Sequence, residues 1–169
     1  MKELKIDASF YLNKSGYPSE GRVKKGPVAV IECIEDIPCN PCEAICPFGA
    51  IKVGFPITNL PELDEERCTG CGRCITACPG LAIFVLNYNF SEKEASLSIP
   101  YELLPFPEKG DTGICLDRDG KYVCNGKVVR VIPPEKNHMT GVVTFSFPKK
   151  YYNIVRSLKI KNGKEKNNM

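Results

Sequence analysis

The chain has 169 residues, enough for one or two small domains. Its 23 basic and 20 acidic residues give a formal net charge of +3, which excludes the strong positive field of a typical nucleic-acid-binding protein. No apolar run has the length that a membrane-spanning helix requires, and no signal-peptide pattern opens the chain. We therefore expect a cytoplasmic protein whose ten cysteines are kept reduced.

The N-terminal part, residues 1–26, is polar and rich in turn-forming residues, and we expect a loosely structured arm there. Residues 28–31 are all apolar and predict a short strand that leads into the next region. That region, residues 27–90, contains eight of the ten cysteines and is predicted to be a separate domain.

Within this domain a trio of cysteines recurs after 32 residues, and each trio is followed by proline: Cys39, Cys42 and Cys46 correspond to Cys71, Cys74 and Cys78. Together with Cys68, the second copy has the spacing C-x2-C-x2-C-x3-C-P. This spacing is typical of bacterial ferredoxins with two 4Fe–4S clusters, in which the fourth cysteine binds the other cluster. We therefore predict an α+β fold with a two-cluster ferredoxin domain.

A short helix between the third and fourth cysteines would carry Cys46 and Cys78 away from their own loops. The prediction is a crossed ligand set. One cluster takes Cys39, Cys42, Cys78 and one further residue, whereas the other takes Cys68, Cys71, Cys74 and Cys46. The strands that follow each Cys-Pro, at residues 50–53 and 82–85, are expected to lie beside the clusters.

The further ligand of the first cluster is open between two residues. Asp36 occupies the position that corresponds to Cys68, and Cys33 lies three residues upstream of it. A thiolate is a softer ligand than a carboxylate and binds iron–sulfur clusters better, so we favour Cys33. With Asp36 as the ligand, the cluster would hold that iron weakly and could persist in a three-iron form.

Two other uses of these cysteines fit less well. Zinc sites generally contain pairs of cysteines, whereas this chain has runs of three followed by Cys-Pro. Disulfides are not expected in a reduced compartment.

Residues 91–158 have short β-prone stretches separated by Gly and Pro, and they predict a small antiparallel β module for docking. Residues 117–120, Asp-Arg-Asp-Gly, predict one hairpin turn, and Asn125-Gly126 predicts another. Apolar residues at helical spacing predict a C-terminal helix over residues 148–158. A lysine-rich and asparagine-rich tail, residues 159–169, is expected to be disordered.

Cys115 and Cys124 flank the first of these hairpins. A two-residue turn would place them opposite each other, and a type I turn with Gly120 in a bulge would place them on opposite faces. We expect the bulged form, and therefore two separate structural thiols. His138 is isolated in a polar loop, and no role is predicted for it.

Several stretches resemble a known family: Ile37-Pro38-Cys39-Asn40-Pro41-Cys42, Cys46-Pro47-Phe48-Gly49-Ala50-Ile51, the run from Cys68 to Ile83, and the regions around 117–120 and 142–144. They are similar to the ferredoxin-type small subunit, with two 4Fe–4S clusters, of multi-subunit FAD-dependent amine and proline dehydrogenase complexes, including hydroxyproline and sarcosine-like dehydrogenases. The resemblance covers roughly residues 25–158.

The resemblance implies an electron-transfer subunit that is not catalytic alone. It would relay single electrons between flavin centres in a hetero-oligomer with FAD-containing dehydrogenase subunits and a small 2Fe–2S protein. A free-standing ferredoxin carrier is the alternative. A cluster-based sensor is a third class, but it would need a DNA-binding or partner domain, which the sequence does not show.

Overall fold

The computed structural model describes residues 16–137 and 140–160. Its elements are short helices, strands and two 3-10 turns, which follow one another in this order: α1 Glu20–Val23, β1 Val28–Ile31, α2 Pro41–Ile45, β2 Ile51–Lys52, β3 Glu62–Leu63, α3 Arg73–Ala77, β4 Ile83–Asn87, β5 Glu94–Tyr101, β6 Thr112–Leu116, β7 Tyr122–Ile132, a 3-10 turn Pro134–Lys136, β8 Gly141–Pro148, a second 3-10 turn Lys149–Tyr151, and β9 Ser157–Ile160.

Seven of the strands form one antiparallel sheet in the order β1-β4-β5-β8-β7-β6-β9, and β2 pairs with β3 in a small second sheet. The fold is therefore a mixed one in which the antiparallel sheet dominates and the helices are short. The strands predicted after each Cys-Pro are present as β2 and β4.

Strands β5 and β8 alternate between apolar and small polar residues, as strands with one buried face do. Leu97, Ile99, Phe145 and Phe147 are buried in the main core, together with residues of β6, β7 and β9. Burying such side chains stabilises the fold by roughly 1.5–3 kcal/mol each. A second, smaller core surrounds Cys42 and Cys74, and its buried apolar members are Ala29, Ile31, Ile51, Val53 and Ile83.

Two predictions for the β region are wrong. Residues 148–158 form the second 3-10 turn and then β9, not a helix, because Leu158 pairs with Cys115 in the sheet and fills the main core. Asn125-Gly126 is not a turn, since β7 runs through it. Gly126 is required there by packing, because a Cβ atom would lie 2.5 Å from Cys115 Sγ.

The large sheet is continuous across residue 90, because β4 pairs with β5 through Val85–Ser98 and Leu86–Leu97. The division into residues 27–90 and 91–158 stays a prediction from the sequence. Of the expected tail, residues 159 and 160 belong to β9, and residues 161–169 lie outside the described part, as does His138.

The N-terminal arm, where it is described, is packed rather than loose. Val23 is buried, and the Ile31 amide donates to the Gly16 carbonyl at 3.0 Å. The Arg22 guanidinium is buried and donates to the carbonyls of Glu65, Gly26, Pro27 and Cys68. The expectation of a loosely structured arm is therefore wrong for residues 16–26, because Arg22 satisfies carbonyls of the cysteine loop; residues 1–15 lie outside the described part.

The 117–120 turn has the predicted bulged form, but the predicted separation of Cys115 and Cys124 is wrong. Asp117 pairs with Lys121, and Gly120 has a φ of 77°, as the bulge requires. A second irregularity follows between Cys115 and Leu116, which restores the register and places Cys115 opposite Cys124. Both thiols are buried and free.

Among the described residues, no helix combines the length and the apolar character needed to cross a membrane.

Candidate iron–sulfur centre

Two short helices, α2 and α3, position the last two cysteines of each half of the repeat. Cys42 lies in α2 and Cys46 ends it, while Cys74 lies in α3 and Cys78 ends it. Cys46 and Cys78 both have extended backbone, with ψ of 109° and 108°, which turns the chain away from its helix. This is the short helix predicted between the third and fourth cysteines. The two helices pack against each other.

A first cavity is lined by Cys33, Cys39, Cys42 and Cys78, with about 370 Å³ of space between the atoms, part of it open to solvent. Its other walls are apolar or neutral except for Glu35. Three of its cysteines come from the first half of the repeat and Cys78 comes from the second. Cys33 lines this cavity, whereas Asp36 is exposed and outside its lining.

A second cavity is lined by Cys46, Cys68, Cys71 and Cys74, with about 330 Å³ of space between the atoms, part of it open to solvent. Here Cys46 comes from the first half of the repeat, and the remaining three cysteines come from the second. The structure thus brings all eight of the predicted site cysteines together in two groups of four, and each group contains one cysteine from the opposite half.

Backbone amides donate to three of the cysteine sulfurs. The Ala50 amide lies 3.2 Å from Cys46 Sγ, and the equivalent Ala82 amide lies 3.4 Å from Cys78 Sγ. The Ala29 amide, in β1, lies 3.4 Å from Cys68 Sγ. Such donors stabilise negative charge on the sulfurs, as a thiolate-bound cluster requires. Sequence reasoning missed these three residues because their contribution comes from the backbone.

The turn that aims the Ala50 and Ala82 amides repeats with the cysteines. Gly49 has a φ of 59° and its counterpart Leu81, 32 residues later, has a φ of 52°. Leu81 is the one non-glycine residue with a positive φ in the described chain. A left-handed conformation in a leucine costs energy, so the surrounding structure must hold it.

Burial raises the pKa of two thiols in these cavities. The pKa of Cys42 is raised to about 11, with further contributions from nearby Cys78 and Cys39. The pKa of Cys74 is raised to about 12, and Cys68, Cys71 and Cys46 contribute after burial. A bound metal centre removes such protons, because its positive charge stabilises the thiolates. The neighbours named here belong to the same groups of four that line the cavities.

No group of three or more His, Cys, Asp or Glu side chains within residues 16–137 and 140–160 converges tightly enough for a single metal ion. A mononuclear zinc site needs its sulfurs at about 2.3 Å from one centre. A polynuclear cluster instead binds one thiolate at each iron, so its cysteines surround a wider space. Each cavity is lined by four cysteines, which is the number of thiolates that a 4Fe–4S cluster binds.

An ion-pair network adjoins Cys33. The Glu32 carboxylate accepts hydrogen bonds from Arg118, from the hairpin turn, and from Arg156 Nε at 2.7 Å. All three side chains are largely buried, with exposed fractions of 7%, 13% and 4% for Glu32, Arg118 and Arg156. Arg156 also donates to the Tyr17 hydroxyl at 3.0 Å. We call these three charged residues the Glu32 network. No local sequence pattern signals it, because its members lie up to 124 residues apart.

Residues 33–89, about a third of the chain, match the family described as the LdpA Fe-S cluster-binding domain. The chain is also similar to an uncharacterized ferredoxin of Methanocaldococcus jannaschii, with 44% identity over 72 residues, which is 40% of this chain and 42% of that protein. It is 53% identical over 38 residues to one of the subunits of the Na(+)-translocating ferredoxin:NAD(+) oxidoreductase complex of Acetobacterium woodii, covering 22% of this chain and 11% of that protein.

A third relative is the polyferredoxin-like subunit of the aliphatic sulfonate oxidoreductase of Pyrococcus furiosus, 37% identical over 54 residues, which is 32% of this chain and 28% of that protein. The chain therefore spans less than half the length of each of these three relatives. No solved structure matches it. These findings identify an iron–sulfur cluster-binding region related to those of ferredoxins and of oxidoreductase subunits.

Proposed function

We propose that this chain is an electron-transfer subunit that relays single electrons through two 4Fe–4S clusters. The observation that carries the proposal is the division of eight cysteines into two cavities, each lined by four. Clusters of this type, when bound, supply one-electron carriers at the two positions. The described residues around the cavities hold the sulfurs in place and donate amide hydrogen bonds to them.

The proposed ligand set is crossed. Cys33, Cys39, Cys42 and Cys78 would bind the first cluster, and Cys46, Cys68, Cys71 and Cys74 would bind the second. The exchange of one cysteine between halves ties the two sites together through α2 and α3, so that an electron can enter near one and leave near the other. Cys33 is preferred to Asp36 because its side chain lines the first cavity.

Exposed apolar residues near the first cavity support a partner subunit there. Phe55 is 93% exposed, and Ile37 and Ile57 are 52% and 41% exposed. The Cys39 amide donates to the Ile57 carbonyl at 3.1 Å, so these loops flank the cysteines directly. Clustered exposed apolar residues commonly mark protein–protein interfaces. We infer that a partner covers this surface.

The partners that the family resemblance implies are FAD-containing dehydrogenase subunits and a 2Fe–2S protein. In that assembly the chain would relay electrons between flavin centres of an amine or amino-acid dehydrogenase, by analogy with the family. The similarity to subunits of oxidoreductase complexes supports a subunit role in general. A free-standing ferredoxin carrier is the second candidate, which the similarity to the Methanocaldococcus ferredoxin favours.

Purification of the native protein from its own cells under anaerobic conditions tests this function. A subunit is expected to elute in gel filtration together with a flavin-containing chain. The clusters of this complex should become reduced when an amine or proline substrate is added. Elution as a single chain whose clusters accept electrons from unrelated reductases would contradict the subunit proposal and support a free-standing ferredoxin carrier.

A further inference from the structure

The chain has a groove outside the cysteine cavities, on the polar face of the large sheet. Its floor is formed by β4, β5, β8 and β7, which are neighbours in that order. The groove is open to solvent along its length and has a volume of about 830 Å³. Ligand pockets are typically about 300–1,000 Å³, so a nucleotide-sized molecule can be accommodated.

The strand register arranges the floor into two rows that cross all four strands. The residues opposite one another are Val85, Ser98, Thr144 and Arg130 in one row, and Asn87, Ser96, Ser146 and Lys127 in the other. Neighbouring strands lie about 4.8 Å apart, so each row is roughly 14 Å long. Both rows pass from β4 through two hydroxyls to a cation on β7.

The walls continue this gradient. Pro27 and Phe90 line the groove with Val85 on the β4 side. On the β7 side, Lys109 adds a third cation to the groove. The loop that carries it is held against β7, because the Gly110 amide donates to the Val128 carbonyl at 2.9 Å. Among the described lining residues the one carboxylate is Glu94, which accepts from Ser146 Oγ at 3.4 Å. The groove is apolar at one end and positively charged at the other.

The apolar end adjoins the second cysteine cavity. Gly70 and Val85 line both the cavity and the groove. An adjoining pocket joins Cys71 and Arg73 to the first row, at Ser98, Thr144 and Arg130. A molecule seated in the groove would therefore place its apolar end beside the loop that carries Cys71.

We propose that this groove binds a phosphate-bearing redox nucleotide, with its ring beside Val85 and its phosphate beside Lys127, Arg130 and Lys109. Arginine and lysine bind phosphate through charge-assisted hydrogen bonds, and the serine and threonine hydroxyls can bond to the polar linker between ring and phosphate. The redox character of the ligand rests on the proposed function, whereas the anion site rests on the groove alone.

An acidic protein surface fits the groove less well. Such a surface could reach the exposed cations at the rim. The accessible hydroxyls of the floor are those of the half-buried Ser98 and Thr144, since Ser96 and Ser146 are only 4% and 3% exposed. A small molecule can contact these two hydroxyls and the rim cations together, whereas a protein surface meets the rim first.

Isothermal titration of the cluster-containing full-length chain under anaerobic conditions tests the proposal, with flavin mononucleotide (FMN), riboflavin and ADP as probes. FMN should bind about tenfold or more tightly than riboflavin, which lacks the phosphate, and its affinity should fall as salt is added. ADP should bind more weakly than FMN. Absence of FMN binding, or equal affinity for FMN and riboflavin, would overturn the proposal. Equal affinity for ADP and FMN would overturn its redox part.

Variants locate the site. Lys127→Gln and Arg130→Gln should each weaken FMN binding about 3- to 10-fold and leave riboflavin binding unchanged. Lys159→Gln, an exposed lysine on β9 at the far edge of the sheet, is the matched control and should change neither. An equal loss with the control would refute the assignment. Iron is measured in every sample, so that FMN binding by a chain without clusters would count against the proposed function alone.

Discussion

At the scale of single residues, Gly70 sets how closely the loop at residues 68–72 approaches Pro27, the residue before β1. Gly70 has a φ of 67°, and a Cβ atom built on it would lie 2.6 Å from the backbone of Pro27. Gly72, two residues later, also has a positive φ, but its Cβ would meet only the end of the Ile75 side chain at 3.7 Å. Comparing alanine substitutions at the two positions therefore distinguishes the cost of backbone strain alone, at Gly72, from the cost of strain plus overlap with Pro27, at Gly70.

We expect Gly70→Ala to lower the free energy of unfolding by about 2–5 kcal/mol, because left-handed strain and overlap with Pro27 add. Gly72→Ala should cost only about 1–2 kcal/mol, since strain alone applies. Chemical denaturation of both cluster-containing variants measures the difference. Equal losses would show that the Pro27 contact is not limiting.

The ligand choice at the first cavity is also a matter of one residue. We expect Cys33→Ala to lose about one iron or a whole cluster of four, because the fourth proposed ligand of the first cluster is removed. Asp36→Ala should retain the full iron content, since Asp36 is exposed. Iron analysis with electron paramagnetic resonance of the reduced proteins compares the two. A full complement in Cys33→Ala together with loss in Asp36→Ala would reverse the assignment.

At the scale of elements, the Glu32 network joins the end of β1 to the β6–β7 turn and to the segment before β9. One buried carboxylate lies between two buried guanidiniums, so loss of the carboxylate leaves two like charges together. Removal of one partner from a buried ion pair typically costs about 3–5 kcal/mol. The network explains how residues 117–120 and 156 hold the loop that begins at Cys33.

Glu32→Gln should therefore lower the free energy of unfolding by about 3 kcal/mol, and it should do so more than Arg118→Met, which leaves Glu32 paired with Arg156. Lys121→Met, which breaks an exposed pair with Asp119 in the same turn, is the control and should change stability by less than about 0.5 kcal/mol. Thermal unfolding of the three variants tests the order. A loss in the control equal to that of Glu32→Gln would contradict it.

The β6–β7 hairpin places two buried thiols opposite each other, Cys115 on β6 and Cys124 on β7. Burial raises the pKa of both thiols above the ordinary value of 9.0, and the nearby Cys124 further raises that of Cys115. The folded chain therefore keeps these protons at a pH where the unfolded chain loses them. Their contribution to stability is complete below about pH 9 and is lost as the pH rises above it.

Cys115→Ala should be less stable than the wild type at neutral pH, because it leaves a cavity in the main core. Its free energy of unfolding should fall less steeply above about pH 9, since one buried thiol no longer titrates. Denaturation curves from about pH 7 to 10.5 measure both effects. Parallel pH profiles for the two proteins would show that Cys115 does not contribute.

The elements around the cysteines were more predictable than those of the β region. Cys-x2-Cys spacing and the Cys-Pro steps define α2, α3 and the following strands locally. The errors have tertiary causes. Asn125-Gly126 is typical of a turn, but Gly126 is needed to make room for Cys115 Sγ. Residues 154–158 have helical spacing, but pairing with β6 draws Leu158 into a strand.

At the scale of the whole molecule, the grouping of the cysteines was predictable because the repeat and the ferredoxin spacing specify it. The single sheet that runs from β1 to β9 was not, since long-range strand pairing has no local pattern. The groove was predictable only in part. Alternation such as Ala95-Ser96-Leu97-Ser98-Ile99 shows a strand with one polar face, but only the register between four strands aligns the hydroxyls with the cations.

The proposed relay of electrons through two 4Fe–4S clusters requires that each of the two groups of four cysteines binds one cluster. Iron, acid-labile sulfide and zinc per chain, measured together on anaerobically purified protein, test this requirement most directly. Two clusters predict about eight irons and about eight sulfides per chain, with no zinc. About four irons or fewer, or stoichiometric zinc in place of iron, would contradict the binding of two clusters.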